Sequence, residues 1–127
     1  MGRLATVLAI LLLAASPALA KINHHAQQGD AERGIASTYA MKLMGHATAS
    51  GERLERNGLT AAHKSLPFGT RLIVTNKRNG RTVIVTVNDR GPFKKGRIID
   101  LSPAAASQLG MWHAGLAPVE IRIAYDR

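Results

Sequence analysis

The amino-acid sequence predicts a mainly β protein that closes into a small barrel of five or six short strands. Two β-branched runs, RLIVTN and RTVIVTVN, are separated by a turn containing Asn-Gly, which is a strong hairpin signal. A later run, PVEIRIA, alternates apolar and polar residues, as a half-buried strand does. Only one short stretch carries the start and stop signals of a helix. A closed barrel accommodates such strands because closure leaves no exposed strand edge.

The strands are assigned in chain order. Ile35–Tyr39 is a short strand candidate, and the small, turn-prone residues 44–52 (MGHATASGE) form a loop. Arg71–Asn76 and Arg81–Asn88 are the β-branched pair of the hairpin, and Lys77–Gly80 is its turn.

The C-terminal third contains two strands and a helix. Ile98–Leu101 is a short strand. Ser102 is a good N-cap and Pro103 suits the first helical position, while Gly110 ends the helix. Pro118–Ala124 is the closing strand.

Residues 1–20 have the pattern of a cleaved secretory signal. Arg3 supplies the positive start, Leu4–Leu13 are almost wholly apolar, and Ala18-Leu19-Ala20 is a small-x-small cleavage site that makes Lys21 the mature N-terminus. The apolar run is short for a transmembrane span, which needs about 20 residues. The alternative is an uncleaved anchor.

The remainder divides into a lead-in and one domain. Residues 21–33 are polar and aperiodic and are predicted to be flexible; residues 34–127 are predicted to be the barrel domain. His24 and His25 lie in the lead-in, where adjacent histidines are more typical of solvated residues than of metal ligands. The chain contains no cysteine, so we expect neither disulfides nor a lipid anchor on cysteine after cleavage.

The chain is strongly basic, with a formal net charge of +9, and residues 21–127 keep +8 because Arg3 is the only charged residue removed. Basic proteins bind polyanions, which outside the cytoplasm include cell-wall polymers, acidic polysaccharide and phospholipid headgroups. Export and the presence of only two Phe, two Tyr and one Trp argue against nucleic acid. The alternative is that dispersed charge serves solubility alone.

Asp89 is the first candidate for proton transfer. Val83, Val85 and Val87 share one strand face, and two-residue parity places Asp89 on the same apolar face at the strand end. Partial desolvation there would raise its pKa, as a general acid requires. The alternative is a turn-capping aspartate paired with Arg90.

Three further groups share this segment. Glu52 lies in a loop and is either functional or merely solvated, and His63 lies beside small residues and is either functional or a hydrogen-bonded structural histidine. Asp100 precedes the helix start, whose N-terminus is its ordinary partner. His46 and His63 could join carboxylates at a metal site, but no spacing favours one. We therefore expect no metal and no cofactor.

Several sequence words resemble the rare lipoprotein A (RlpA) family: ASTYA, TASGE, LTAAHKSLPFGT, VTVNDRGPF and RIIDLSPAAASQLGM, in the family's order from about Ala36 to Ile123. The family's usual Trp-Tyr-Gly is Thr38-Tyr39-Ala40 here. The resemblance implies a six-stranded double-psi β-barrel with one or two short helices. It also implies an endolytic lytic transglycosylase that acts on peptidoglycan strands, preferentially those free of stem peptides, during cell separation.

The resemblance also implies site residues. The glutamate of TASGE, the histidine of TAAHK and the aspartate of VNDRGP correspond to Glu52, His63 and Asp89 as catalytic residues. Asp89 would protonate the MurNAc–GlcNAc β-1,4 oxygen, and the muramoyl C6 hydroxyl would then close a 1,6-anhydro end. The residues expected to bind substrate are Asn88, Arg90, Lys94, Lys95, Arg97 and Asp100. The alternative for the four basic residues is that they form a solvated loop without a binding role.

Two other functions fit the same sequence. One is a non-catalytic, expansin-like wall-binding module, and the other is a secreted inhibitor or toxin-like barrel that binds a protein. For the enzyme we expect a monomer in the periplasm or outside the cell, without a stable membrane anchor after signal cleavage.

Overall fold

The computed structural model describes residues 31–125, which form a closed six-stranded barrel. The elements are β1 (Glu32–Thr38), a 3-10 helix (Met41–Leu43), β2 (Thr60–Ala62), β3 (Arg71–Asn76), β4 (Thr82–Asp89), β5 (Arg97–Leu101), α1 (Pro103–Gln108) and β6 (Leu116–Ile123). Around the barrel the strand order is β1-β5-β2-β4-β3-β6. None of the helices in this part of the chain combines the length and the apolar character needed to cross a bilayer.

Two strand pairs are parallel and the rest are antiparallel. The parallel pairs are β1 with β5 and β2 with β4, so each joins strands that are far apart in sequence. The β3–β4 pair is the antiparallel hairpin, in register from Arg71–Thr86 to Thr75–Thr82. Parallel pairing requires crossover connections rather than tight turns, which is why the barrel cannot be assembled from hairpins alone.

Alternating strand residues fill the barrel. Val83, Val85 and Val87 of β4 are buried, as are Ile99 and Leu101 of β5. Together with residues from the other strands and α1 they make one main hydrophobic core. Since side chains alternate between faces along a strand, Asp100 between Ile99 and Leu101 points away from this core.

Truncation of a core residue tests this assignment. Ile99 is fully buried (0 % exposed), so Ile99→Ala is expected to lower the free energy of unfolding by about 2–5 kcal/mol through lost burial and a residual cavity. Ile84 is 42 % exposed on β4, so Ile84→Ala is the matched control and should cost below about 1 kcal/mol. Urea unfolding measures both; equal losses would contradict the assigned core.

The local sequence signals correspond closely to the observed elements. β3 has the predicted bounds, and the hairpin turn lies at residues 77–79. Ser102 is the N-cap of α1, where its side chain accepts a hydrogen bond from the Ala105 N–H, and Pro103 is the first helical residue. Gly110 follows the helix with a φ of +68°, a conformation that favours glycine.

Other boundaries differ from the prediction. β1 begins at Glu32 instead of Ile35, because pairing with β6 extends to the Glu32–Ile121 step. β2 was not predicted as a strand: TAA has neither β-branched enrichment nor useful length, and it is held by pairing on both sides with β4 and β5. The predicted signal at residues 1–20, and most of the predicted lead-in, lie outside the described residues.

The predicted orientation of Asp89 was wrong because a β-bulge interrupts β4 just before it. Ala61 pairs with Val87 and the next residue, Ala62, pairs with Asp89, so β4 contains an extra residue, Asn88, at this point. The bulge shifts the alternation by one residue. Asn88 is therefore buried, and Asp89 aligns with Ala62 instead of continuing the core face of the valines.

Candidate active site

The candidate site begins as a row of strand residues on the outer side of the barrel wall. Register partners connect Ser37 on β1 to Asp100 on β5, Asp100 to Ala62 on β2, and Ala62 to Asp89 on β4. Residues in register share a face of the sheet, so two carboxyl groups flank the small Ala62 side chain. A second hydrophobic cluster, Tyr39, Leu54 and Ala62 with Met44, packs against this row.

Three hydrogen-bond donors hold the Asp89 carboxylate. The Tyr39 hydroxyl donates to Oδ2 at 2.7 Å. The backbone N–H groups of Ala49 and Arg90 donate to Oδ1 at 2.9 and 2.8 Å. With donors on both oxygens, the carboxylate has a fixed orientation and serves as an acceptor.

Asp100 lies in a different environment. Burial raises the pKa of Asp100, and the negative charge of Asp89 raises it further. The hydrogen bond from the Ser37 hydroxyl to Oδ1 and the nearby charge of Arg97 both oppose that rise. Oδ2 has no hydrogen-bond partner within residues 31–125. The two carboxyl groups therefore lie in unequal environments, one with donors on both oxygens and one partly buried with a donor on a single oxygen.

Tyr39 lies against Asp89 and within range of the charge of Asp100. Its side chain is only 8 % exposed, and burial is the largest cause that raises its pKa above the ordinary value. The hydrogen bond to Asp89 and the charges of Asp89 and Asp100 raise it further. The phenol therefore stays protonated and keeps donating to Asp89. The word ASTYA contains Tyr39, but no local signal in the sequence indicates this contact with Asp89.

The loop that carries Glu52 folds over the end of β4. Ala49 donates its N–H to the Asp89 side chain, and Ser50 donates its N–H to the Asn88 carbonyl at 3.2 Å. The Ser50 hydroxyl lies 3.5 Å from Glu52 Oε1. One short loop thus brings Glu52 to the same end of the barrel as Asp89, although Glu52 remains exposed.

Glu52 lines an open depression together with Arg53, Glu55, Gly58, Thr60 and Asn88. Two of its lining side chains carry buried oxygens that have no hydrogen-bond partner in the described part of the chain, Thr60 Oγ1 and Asn88 Oδ1. Buried polar atoms are ordinarily paired, so these two are the unsatisfied polar groups of the site. The predicted substrate-binding residue Asn88 therefore lies in the wall of this depression.

His63 is buried and its ring is fully engaged. The N–H groups of Ser65 and Leu66 donate to Nδ1 at 3.2 and 3.1 Å, which requires a lone pair on that nitrogen. The ring hydrogen then lies on Nε2, which donates to Glu32 at 3.2 Å. Only the backbone of His63 reaches the site, where its N–H donates to the Asp89 carbonyl at 3.1 Å. These contacts are those of a hydrogen-bonded structural histidine that anchors the end of β4.

The predicted basic residues separate into three groups. Arg90 braces the 63–68 loop: its Nη1 donates to the carbonyls of His63 at 3.2 Å and Leu66 at 2.8 Å, and its guanidinium stacks 4.2 Å from the Phe68 ring centroid. Its guanidinium does not pair with Asp89, but its backbone N–H donates to Asp89 Oδ1 at 2.8 Å, as the turn-capping alternative predicts. The second group, Lys94 and Lys95, is exposed on the loop after Asp89. The third, Arg97, acts on Asp100 by its charge.

An exposed aromatic ring lies on the same loop. Phe93 is 83 % exposed, four residues after Asp89. Residues 31–125 contain no group of three or more His, Cys, Asp or Glu side chains placed to hold a metal ion. The described residues at this end of the barrel supply two carboxyl groups in unequal environments, an exposed glutamate, cationic side chains and an exposed aromatic ring.

Comparison with known proteins gives a consistent family. A family model described as lytic transglycolase matches residues 31–121. The probable endolytic peptidoglycan transglycosylase RlpA of Nostoc sp. is 57 % identical over 93 residues, which are 72 % of this chain and 25 % of the relative. The one from Synechocystis sp. is 47 % identical over 117 residues, 90 % of this chain and 36 % of the relative. The chain thus spans a quarter to about a third of the length of these relatives.

Solved structures agree on the fold. The expansin of Clavibacter michiganensis superposes with a TM-score of 0.61 at 27 % identity, covering 77 % of this chain and 52 % of that one. A Streptomyces papain inhibitor has a TM-score of 0.59 at 23 % identity, covering 76 % of this chain and 96 % of its own, a likeness of fold alone. With its closed barrel and the match over residues 31–121, the chain belongs to the rare lipoprotein A (RlpA) family and has that family's double-psi β-barrel.

Proposed function

We propose that this barrel is an endolytic lytic transglycosylase of peptidoglycan, cleaving the MurNAc–GlcNAc β-1,4 bond without water. One observation carries the proposal: two carboxyl groups in unequal environments, Asp89 and Asp100, flank Ala62 in one row of the barrel wall. Cleavage of a glycosidic bond uses a proton donor and stabilisation of an oxocarbenium-like centre, and unequal carboxyl groups supply both. The names of the matching relatives support the same reaction.

The contacts favour Asp100 as the proton donor, in place of the sequence-based assignment to Asp89. Burial raises the pKa of Asp100, and its Oδ2 is free within the described residues to reach substrate. Asp89 instead accepts three hydrogen bonds, which occupy both of its carboxyl oxygens. Its negative charge would stabilise the positive centre that develops at the sugar C1.

The reaction then closes without a water molecule. Asp100 donates its proton to the glycosidic oxygen, the bond between C1 and that oxygen breaks, and GlcNAc leaves with a free 4-hydroxyl. The muramoyl C6 hydroxyl attacks C1 and returns a proton to the Asp100 carboxylate. The products are a 1,6-anhydro-MurNAc end and a new GlcNAc end, and the enzyme regains its starting state.

The surrounding residues have supporting roles in this proposal. Glu52 and Asn88 line the depression that would hold part of the glycan, and the Phe93 ring offers an apolar face to a sugar. Lys94 and Lys95 carry positive charge toward the acidic polymer. His63 and Arg90 act on substrate indirectly, by holding the loop and strand end that carry Asp89. The substrate strands are free of stem peptides, and the enzyme acts as a monomer after export.

The deciding experiment incubates the purified protein with peptide-free glycan strands and identifies the products by mass spectrometry. Anhydro-muramoyl ends are expected. Reducing muramoyl ends would indicate a hydrolase on the same barrel and contradict the lytic reaction.

N-terminal sequencing of the exported protein tests the proposed cleavage before Lys21.

An expansin-like, non-catalytic module is the second candidate, favoured by the 27 % identity and TM-score of 0.61 to the Clavibacter expansin. It predicts that the protein co-sediments with sacculi and releases no products. In that case substitution of Asp89 or Asp100 would leave the only measurable activity, binding, nearly unchanged.

The Tyr39 hydroxyl gives a conservative test of the site. Tyr39→Phe removes the 2.7 Å donor to Asp89, and turnover is expected to fall about 10- to 100-fold with little change in KM, since a hydrogen bond to a charged group contributes about 1.5–3 kcal/mol. Tyr125→Phe is the matched control because Tyr125 is 64 % exposed. Equal turnover rates for the two variants would show that the Tyr39 hydroxyl does not contribute to catalysis.

A further inference from the structure

A second depression lies beside helix α1, apart from the row of carboxyl groups. Its lining residues are Arg56, Asn57, Pro103, Ala104, Ser107 and Trp112. Trp112 is the only tryptophan in the chain, and it is 36 % exposed. None of the sequence signals discussed above assigns a role to this residue or to Arg56.

The backbone fixes both sides of this depression. On one side, the Arg56 carbonyl accepts the Ala104 N–H at 3.0 Å, which ties the loop to the start of α1. On the other, Met111 is buried and its N–H donates to the Ala106 carbonyl at 3.0 Å, which fixes the turn that begins at Trp112. The aromatic ring and the guanidinium therefore extend from anchored backbone.

The polar groups of the depression are free to bind. Within residues 31–125, the Arg56 guanidinium, the Asn57 amide and the Trp112 indole N–H make no side-chain hydrogen bond or ion pair. An exposed indole face, an amide and an unpaired cation form a set suited to a sugar ring that carries a carboxylate. The ring stacks on the indole and the carboxylate pairs with the guanidinium.

The position of this depression relates it to the active site. Residues 52–58 form a wall of both depressions: Glu52, Arg53, Glu55 and Gly58 line the first, and Arg56 and Asn57 line the second. A polymer lying in the first depression therefore has to cross only this segment to reach the second.

We propose that Trp112 and Arg56 form a distal subsite that binds a muramoyl residue of the glycan strand, with Arg56 pairing the lactyl carboxylate. The inference rests on the proposed function, since it assumes that the polymer is peptidoglycan. It also supplies a physical reason for a preference for strands without stem peptides. A peptide amide-linked to the lactyl group removes the carboxylate that Arg56 would pair.

The single tryptophan makes the test specific to this site. In an Asp100→Asn background that prevents cleavage, peptide-free glycan strands are titrated while Trp112 emission is recorded, and binding is measured in parallel by co-sedimentation. A saturable emission change is expected at the concentrations that give binding. Binding with unchanged emission would overturn the subsite.

Two variants test the assigned chemistry. Arg56→Gln is expected to weaken binding of the strands about threefold to fivefold, as loss of an exposed ion pair does, and to leave binding of a neutral chitin hexamer unchanged. Arg78→Gln, which removes the same charge from the exposed hairpin turn, is the matched control. Trp112→Leu should weaken both ligands about threefold to tenfold.

The outcomes separate this subsite from the proposed function. Equal effects of Arg56→Gln on strands and on the chitin hexamer would refute the carboxylate contact, as would equality with Arg78→Gln. If Trp112→Leu in the otherwise unmodified chain binds and cleaves strands as the parent does, the subsite is refuted while the enzyme stands. If the parent protein neither binds nor cleaves glycan strands, both the proposed function and the subsite are refuted. The cleavage assay on the parent identifies this case independently of the variants.

Discussion

Asp100→Asn is expected to lower the rate of glycan cleavage by about 10²–10⁴-fold, the range attributed to a general acid, while binding of glycan strands persists. Asparagine keeps the size of the side chain and an oxygen that accepts the Ser37 hydroxyl, so the site should retain its shape. Mass spectrometry of released anhydro-muramoyl ends measures the rate, and co-sedimentation measures binding. Full activity of this variant would eliminate Asp100 as the donor.

The pH dependence gives Asp100 a second readout. Because a general acid must be protonated, the cleavage rate should fall as pH rises through the pKa of Asp100, which burial raises above 3.8. This fall in rate with rising pH should be absent from the residual activity of the asparagine variant. The same fall would persist in the variant if another group supplied the proton.

The same shift predicts the sign of a stability change. A carboxyl group whose folded pKa is raised ionises more readily in the unfolded chain, so stability is lost as pH rises from the unfolded value of 3.8 through the folded value. Asp100→Asn should therefore raise the Tm at pH 7. Below pH 3.8 the Asp100 carboxyl group is protonated in both the folded and the unfolded chain, so the variant should no longer have a higher Tm than the parent. Thermal unfolding at pH 7 and pH 3 measures the difference.

Asp89→Asn is expected to reduce cleavage by about 10²–10³-fold through loss of the negative charge beside the reacting sugar. Its stability should change in the opposite direction to that of the Asp100 variant. The carboxylate accepts donors on both oxygens from Tyr39, Ala49 and Arg90, and an amide offers only one oxygen to them. Loss of one such hydrogen bond should lower the free energy of unfolding by about 1–3 kcal/mol.

The two aspartate variants together discriminate the roles. Loss of turnover in both, with a higher Tm for Asp100→Asn and a lower Tm for Asp89→Asn at pH 7, is the expected pattern. If Asp89→Asn removed the fall in rate with rising pH and Asp100→Asn kept it, the sequence-based assignment of the donor to Asp89 would be restored. If both variants retained turnover, the row of carboxyl groups would not be the catalytic site.

Local patterns determined much of the fold. The β3–β4 hairpin follows from β-branched runs around Asn79-Gly80, and α1 follows from Ser102, Pro103 and Gly110, because each of these signals acts within a few residues. The words that contain Glu52 and Asp89 likewise identified the end of the barrel where the candidate site lies.

Other features depended on contacts between distant parts of the chain. β2 is only three residues long and is a strand because β4 and β5 pair with it on both sides. The bulge at Asn88 reversed the face expected for Asp89, and no local period predicts where one strand gains a residue over its partner. Tyr39 became part of the site for the same reason, since Asp89, which accepts the hydrogen bond from its hydroxyl, lies fifty positions away in sequence.

The mainly β class, the hairpin, the helix and the types of side chain at the site could therefore be predicted from the amino-acid sequence, because propensity and periodicity are local properties. Contacts between distant strands set how Ser37, Asp100, Ala62 and Asp89 align. They also direct the side chains of His63 and Arg90 to contacts that brace the site. Register, burial and hydrogen-bond partners set these roles. They arise when strands from separate parts of the chain close into one barrel.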